Sequence, residues 1–224
     1  MESHKLAEKD PNDLVESLIQ KYGDSPWTKS VVASLPVIGA FLDSHFNSMA
    51  NEIYQRRIES MFSEIKNELS YISDQIVDKE YIKSEEFFDL SQNAFSRAIK
   101  IADTERISAI ARIIAESIIG KQAATSIPSF DLVSVIGEMS PSEASMFGEI
   151  GKIYLEHKSL LTGSGNTLFR VKDILDVLPP NLQKNAGFLC ARLESKGLLS
   201  SIFENYGLGD AGEELLKYFR SQCL

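Results

Sequence analysis

The stretch from Asn51 to Val77, NEIYQRRIESMFSEIKNELSYISDQIV, limits what this chain can fold into more than any other. Tyr54, Ile58, Met61, Ile65, Leu69, Ile72 and Ile76 recur at steps of three or four, the spacing that lines one side of an α-helix. Gln55, Arg56, Glu59, Glu64, Lys66, Asn67, Glu68 and Asp74 fall on the other side and can remain in water. Large apolar side chains are worth about 1.5–3 kcal/mol each when buried, so the stripe requires a partner surface. The flanking sequence offers further helices, and a helical domain built on residues 51–77 is the expected result.

Ser84 stands where the N-cap of the next helix belongs, followed by Glu85, Glu86 and Asp89. Three carboxylates so close could be read as a metal or acid–base group. Acids in a first helical turn also face the positive end of the macrodipole, which is the simpler account. Phe87, Leu90, Ala94, Ala98 and Ile101 form one apolar face of that helix, and Phe88, Phe95, Ile99 and Ala102 a second, so it is predicted to be central. Asp103 or Thr104 caps a third helix carrying Ile107, Ile110, Ala111, Ile114 and Ile118, ended by Gly120. Arg112 and Glu116 are spaced as an i, i+4 pair within it.

Upstream, residues 1–13 are polar, and Asp13 can cap a short helix through Lys21. From Val31 to Leu42 only Ser34 is polar. Val31, Val32, Leu35, Val37, Ile38, Phe41 and Leu42 then make either a buried helix pair, with Pro36 in the first turn of the second, or a membrane-inserting hairpin. The run falls short of the roughly 20 residues a membrane span takes, and Pro36 and Gly39 interrupt it, which favours burial.

The chain has 224 residues, a net charge of −9, 43% hydrophobic and 25% charged residues, as globular domains do. A general nucleic-acid coat is disfavoured, because phosphate binding needs lysines and arginines to neutralise backbone charge. Residues 1–139 hold 14 lysines and arginines against 22 aspartates and glutamates; residues 140–224 hold 9 against 10. Cys190 and Cys223 lack the spacing of a disulfide framework or a zinc site. The opening MESHKLAEKDPNDL has no basic stretch followed by an apolar core, so a cytoplasmic location is expected.

Enzyme motifs are missing. His4, His45 and His157 have no ligand-spaced partner, no GxSxG or GxxxxGK[ST] occurs, and GSGN at 163–166 lacks a strand before it and a helix after it. Cys190 reads as a structural thiol. No catalytic residue, cofactor or metal is expected, and an active site assembled from scattered residues has no motif behind it.

KQAATSIPS, residues 121–129, is small, polar and closed by Pro128, and places a domain boundary there. Phe130 to Met139 suits a short connecting helix. SPSE at Ser140–Glu143 is a capping box with proline at the first helical position. Its helix carries Phe147, Ile150 and Tyr154, and TGSGN at 162–166 is a loop. TLFRV then suits a short strand and VKDILDVL a short helix. Asn181 caps a helix with Leu182, Ala186, Leu189 and Leu193 inward, and Gly197 stops it. LLSSIF and NYGLG read as a tight hairpin, and Asp210 caps a last helix with Leu215, Leu216 and Phe219.

Helix, strand, helix, helix, hairpin, helix over residues 140–219, with ESKGLLSS and YGLGDAGEELLKYF, resembles the recognition helix, wing and closing helix of winged-helix domains. SLPVIGAFLDSHF, the long helix and SEEFFDLSQNAFSRAIKIADTERISAIARIIAESIIG, together about residues 26–120, are similar to uncharacterised bacterial helical proteins that include the abortive-infection alpha proteins of phage defence. That likeness implies a bacterial cytosolic protein acting in antiviral defence and carries over no catalytic residue. The expected fold is mainly α: a helical domain over 1–128, then a winged-helix-like α+β domain over 129–224.

On the recognition helix, the side opposite the apolar residues falls near Lys184, Gly187, Phe188, Ala191 and Ser195, at about 100° per residue. Gln183 and Arg192 lie to the sides, leaving one well-aimed cation where base readout draws on several Arg, Lys, Asn or Gln. An aromatic between small residues fits a contact patch, with Phe188 filling a partner's pocket while Gly187 and Ala191 permit close approach. Phe188 as core under the wing is the competing reading. The expected function is non-enzymatic docking of a protein partner or a second copy through the helical domain and through Lys184, Gly187, Phe188, Ala191 and Arg192. A DNA-binding regulator and an effector inserting the 31–42 hairpin into a membrane are the alternatives.

Overall fold

Helix α1, Ser48–Leu69, turns Ile58, Met61, Ile65 and Leu69 of the stripe inward in the computed structural model, which describes Gln20 and residues 48–69, 77–119, 127–160, 168–176, 178–202 and 205–219. Ile72, Ile76 and the Val31–Leu42 run lie outside the described residues. Phe62, beside the expected stripe, is fully buried as well, its ring 5.2 Å from that of Phe95. The described residues are mainly helical, with one small two-stranded antiparallel sheet. The chain divides into two compact units, Met1–Gly137 and Glu138–Leu224.

In the first unit, a 3-10 turn at Tyr81–Lys83 leads into α2, Glu85–Ala98, followed by α3, Thr104–Ile118. Ser84 caps α2 by accepting from the Phe87 N–H, and Asp103 caps α3 by accepting from the Glu105 N–H. Among the described helices of this unit the most enclosed is α3 rather than the expected α2. Ile107, Ala109, Ile110, Ala111, Ile113, Ile114, Ala115 and Ile118 are all buried, because isoleucine and alanine occupy nearly its whole circumference. On α2 the face from Phe87 to Ala98 is buried, but Phe88 is 37% exposed, and Ala102 beyond the helix is exposed.

Polar bonds fix how these helices end and meet. Arg57 donates from Nη1 to the Ile99 carbonyl beyond α2, where free carbonyls and the negative end of the dipole favour a cation. Arg112 donates from Nε to Glu68 of α1 at 2.8 Å, so its carboxylate partner is on another helix as well as being sought four residues on. Asn93 donates to the Phe130 carbonyl at 3.2 Å and to Ser134 Oγ at 3.0 Å, tying α2 to α4, Ser129–Glu138. The first unit runs to Gly137 and so takes in most of α4, past the boundary expected at Pro128.

The second unit opens with α5, Pro141–Leu160. Its capping box forms as expected: the Ser140 N–H donates to Glu143 Oε2 at 2.6 Å and the Glu143 N–H to Ser140 Oγ at 3.2 Å. The strand expected of TLFRV is reduced to one bridge, in which Phe169 and Tyr206 exchange both backbone hydrogen bonds. Next come α6, Val171–Ile174, α7, Pro180–Gln183, and α8, Ala186–Ser195. Strands β1, Leu199–Ile202, and β2, Asn205–Leu208, pair antiparallel with Leu199 opposite Leu208, and α9, Asp210–Leu216, closes the unit. Phe147 of α5 and Phe219 meet edge-to-face at 5.3 Å in its core.

Candidate docking surface on the second unit

The helix expected from Asn181 to Ser195 is broken. Pro180 starts α7, where its missing N–H costs nothing, so Asn181 lies inside the helix rather than capping it. Asn185 then adopts φ −117° and ψ 12°, away from helical values, and accepts from the Leu189 N–H to start α8. The acceptor is its backbone carbonyl; the Asn185 side chain makes no capping bond. At the far end Gly197 takes φ 72°, the left-handed conformation that ends helices and that other residues resist. The N–H of Gly197 reaches the Glu194 carbonyl at 2.8 Å and that of Leu198 the Leu193 carbonyl at 3.0 Å.

With both ends fixed, α8 has a defined inner side. Ala186, Leu189, Cys190 and Leu193 are buried, as is Leu182 of α7. Cys190 is fully enclosed, and burial, then the neighbouring Glu194 charge, pushes its thiol up to about 11, consistent with an inert structural role. On the outer side Gly187, Phe188, Ala191, Arg192 and Ser195 are exposed, with Lys184 exposed in the turn before the helix. Phe188 is 67% exposed, which removes the reading of it as core. A Cβ placed on Gly187 would meet nothing within 4 Å, so the backbone beside Phe188 stands open.

Arg192 is the one expected contact residue that also works within the unit. Its Nε donates to Glu143 Oε1 of α5 at 3.0 Å while the side chain remains 49% exposed. Glu143 is 2% exposed. Burial raises its pKa, but the Ser140 N–H, Arg192, the Ser140 hydroxyl and the charge of Lys196 together outweigh burial and hold the carboxyl below its usual range. One glutamate therefore completes the cap of α5 and orients α8. The capping box was legible in SPSE; the bond to Arg192, 49 residues along the chain, had no local signal.

Among the described residues no three His, Cys, Asp or Glu side chains come together as metal ligands do. Glu85, Glu86 and Asp89 are exposed on the first turns of α2, where the dipole favours them. His4 and His45 fall outside the described residues, and so do all seven apolar residues of the 31–42 hairpin. Among the described residues no helix is long and apolar enough to cross a membrane. Comparison with protein-family models, curated proteins and solved structures gives no match.

Proposed function

We propose that this chain is a non-enzymatic bacterial protein-interaction protein whose second unit is a winged-helix-like domain, docking a protein through the outer side of α8. The observation that carries the docking reading is Phe188, 67% exposed between Gly187 and Ala191. Leaving a phenylalanine in water forgoes about 1.5–3 kcal/mol that a partner's pocket would recover, and aromatic residues dominate the centres of interfaces. The winged-helix reading draws on the order α5, Phe169 bridge, α6, α7 and α8, β1, β2, α9, in which β2 lies between β1 and Phe169. A role in abortive-infection defence rests on the resemblance of residues 26–120 alone.

The same order of elements favours DNA binding as a second reading. Its weakness is cation supply: Lys184 and Arg192 are the exposed basic residues of α8 and the turn before it, and Arg192 is already bonded to Glu143. Insertion of the 31–42 hairpin into a membrane has no structural observation behind it.

The test compares the parent chain with Phe188→Ser. Because the side chain is exposed, the variant is expected to keep the parent's circular dichroism and melting temperature. Proteins that copurify with the parent from phage-challenged bacterial cells, or self-association measured by sedimentation, should be lost. Unchanged copurification and self-association in a folded Phe188→Ser chain would overturn the docking reading.

A further inference from the structure

Between Leu178 and Ser201 the exposed residues carry two charges, Lys184 and Arg192, and both are positive. The one carboxylate in that stretch, Glu194, is half-buried and accepts from Ser201 Oγ. Arg192 lies one turn beyond Phe188 on the outer side of α8, and Lys184 lies in the turn before the helix. On a chain of net charge −9 this stretch is an exception: an aromatic residue between two cations, with no exposed carboxylate from Leu178 to Ser201, the nearest before it being Asp176.

Building on the docking reading above, we infer that the occupant of this face is an acidic segment of another protein, setting an apolar side chain against Phe188 and carboxylates toward Lys184 and Arg192. Opposite charge at the rim of an apolar anchor steers encounter and excludes wrong partners, and here the rim is cationic. A nucleic acid is also anionic but suits the face less. Its affinity scales with the number of phosphates neutralised, and two exposed cations are few for that. The Gln183 amide, which could read a base edge, donates instead to the Leu178 carbonyl at 2.8 Å. A second copy docking α8 on α8 would set the same cations against each other, since a two-fold interface presents one patch to itself.

The experiment titrates the isotopically labelled full chain with three helical peptides of one design. Each carries two leucines one turn apart, flanked by glutamate, by glutamine or by lysine, and the readout is the backbone amide signals of Gly187, Phe188 and Ala191. The glutamate peptide is expected to bind most tightly and the lysine peptide least. Lys184→Glu should weaken the glutamate peptide by about fivefold, the scale of exposed charge pairs, while Phe188→Ser removes the shifts for all three. Equal binding of the three peptides, tightest binding by the lysine peptide, or no shift at these amides overturns the inference. So does a single-stranded oligonucleotide that moves the same amides with affinity falling steeply between about 50 and 200 mM salt, which assigns the face to nucleic acid. Self-association lost in Phe188→Ser overturns it as well and assigns the face to a second copy. If Phe188→Ser loses the copurifying protein while Lys184→Glu retains it fully, docking at α8 stands and the acidic partner is wrong.

Discussion

Replacing Glu143 with glutamine keeps the side chain's shape and removes its charge. In the parent chain this carboxylate, 2% exposed, accepts from the Ser140 N–H at 2.6 Å and from Arg192 Nε at 3.0 Å. Hydrogen bonds to an ionised group are worth about 1.5–3 kcal/mol each, and the Arg192 bond, half in water, falls at or below the lower end. Glutamine offers one acceptor oxygen and must turn its amide NH2 toward the other donor. The expected loss is about 2–3 kcal/mol at neutral pH, a fall of roughly 10–20 °C in the melting temperature of the second unit. The pH dependence has a definite sign. A carboxyl held below its ordinary value of 4.5 when folded contributes fully above that value, and the contribution is lost as pH falls through the lower folded value. The gap between parent and Glu143→Gln should thus be full at pH 7 and narrow as pH falls below 4.5. Hydrogen exchange at the Leu189 and Leu193 amides of α8 reports on this unit alone, whereas a global melt mixes the two units. Equal protection of these amides in both chains at pH 7, or a gap that does not narrow as pH falls below 4.5, would refute the reasoning.

Phe62→Ala should cost the first unit about 3–5 kcal/mol, since the ring is fully buried against Phe95; chemical denaturation followed through α3 amides measures it. Gly212→Ala should destabilise the second unit severely, because the added Cβ would stand 2.1 Å from the Leu198 carbonyl oxygen, a backbone atom that cannot swing aside. Calorimetry should show that unit melting at a much lower temperature. With its thiol pushed up to about 11, Cys190 should resist iodoacetamide at pH 8 in the native chain and react on unfolding, as read by mass spectrometry of the Cys190 peptide.

Local signals in the sequence were strong where one turn of chain holds both partners. Ser84, Asp103 (of the Asp103 and Thr104 left open) and the Ser140–Glu143 box are read from three or four residues and do cap, whereas Asp210, expected as a cap, is the first residue of α9 with Gly209 at the N-cap. Helical period likewise placed Ile58, Met61, Ile65 and Leu69 inside. What periodicity ranks poorly is which of several apolar helices is enclosed. Phe88 fits an apolar face of α2 in sequence yet is partly exposed, because burial depends on how many neighbours arrive and not on the helix's own pattern. Phe188 was ambiguous for the same reason: its position on the helix named the side, and only the packed unit shows that it stays 67% exposed there. The bond from Arg192 to Glu143 and that from Asn93 to α4 join distant segments, and no spacing rule reaches that far.

Leu198 occupies a crossing point of the second unit. Its N–H ends α8 on the Leu193 carbonyl, its own carbonyl accepts from the Gly209 N–H at 3.0 Å, and Gly212 at the start of α9 lies directly against that oxygen. The hairpin therefore leaves and re-enters the unit through one knot of backbone, which holds its base whatever its far end does. Lengthening the connection between Ile202 and Asn205 adds little closure entropy, about 0.6 kcal/mol for each doubling, and the register that brings Ser201 to Glu194 of α8 is set from the base of the hairpin. Descendants of this chain could then vary hairpin length freely while presenting Phe188 at an unaltered place, and a fluorescent or affinity tag spliced between those two residues would inherit the same tolerance.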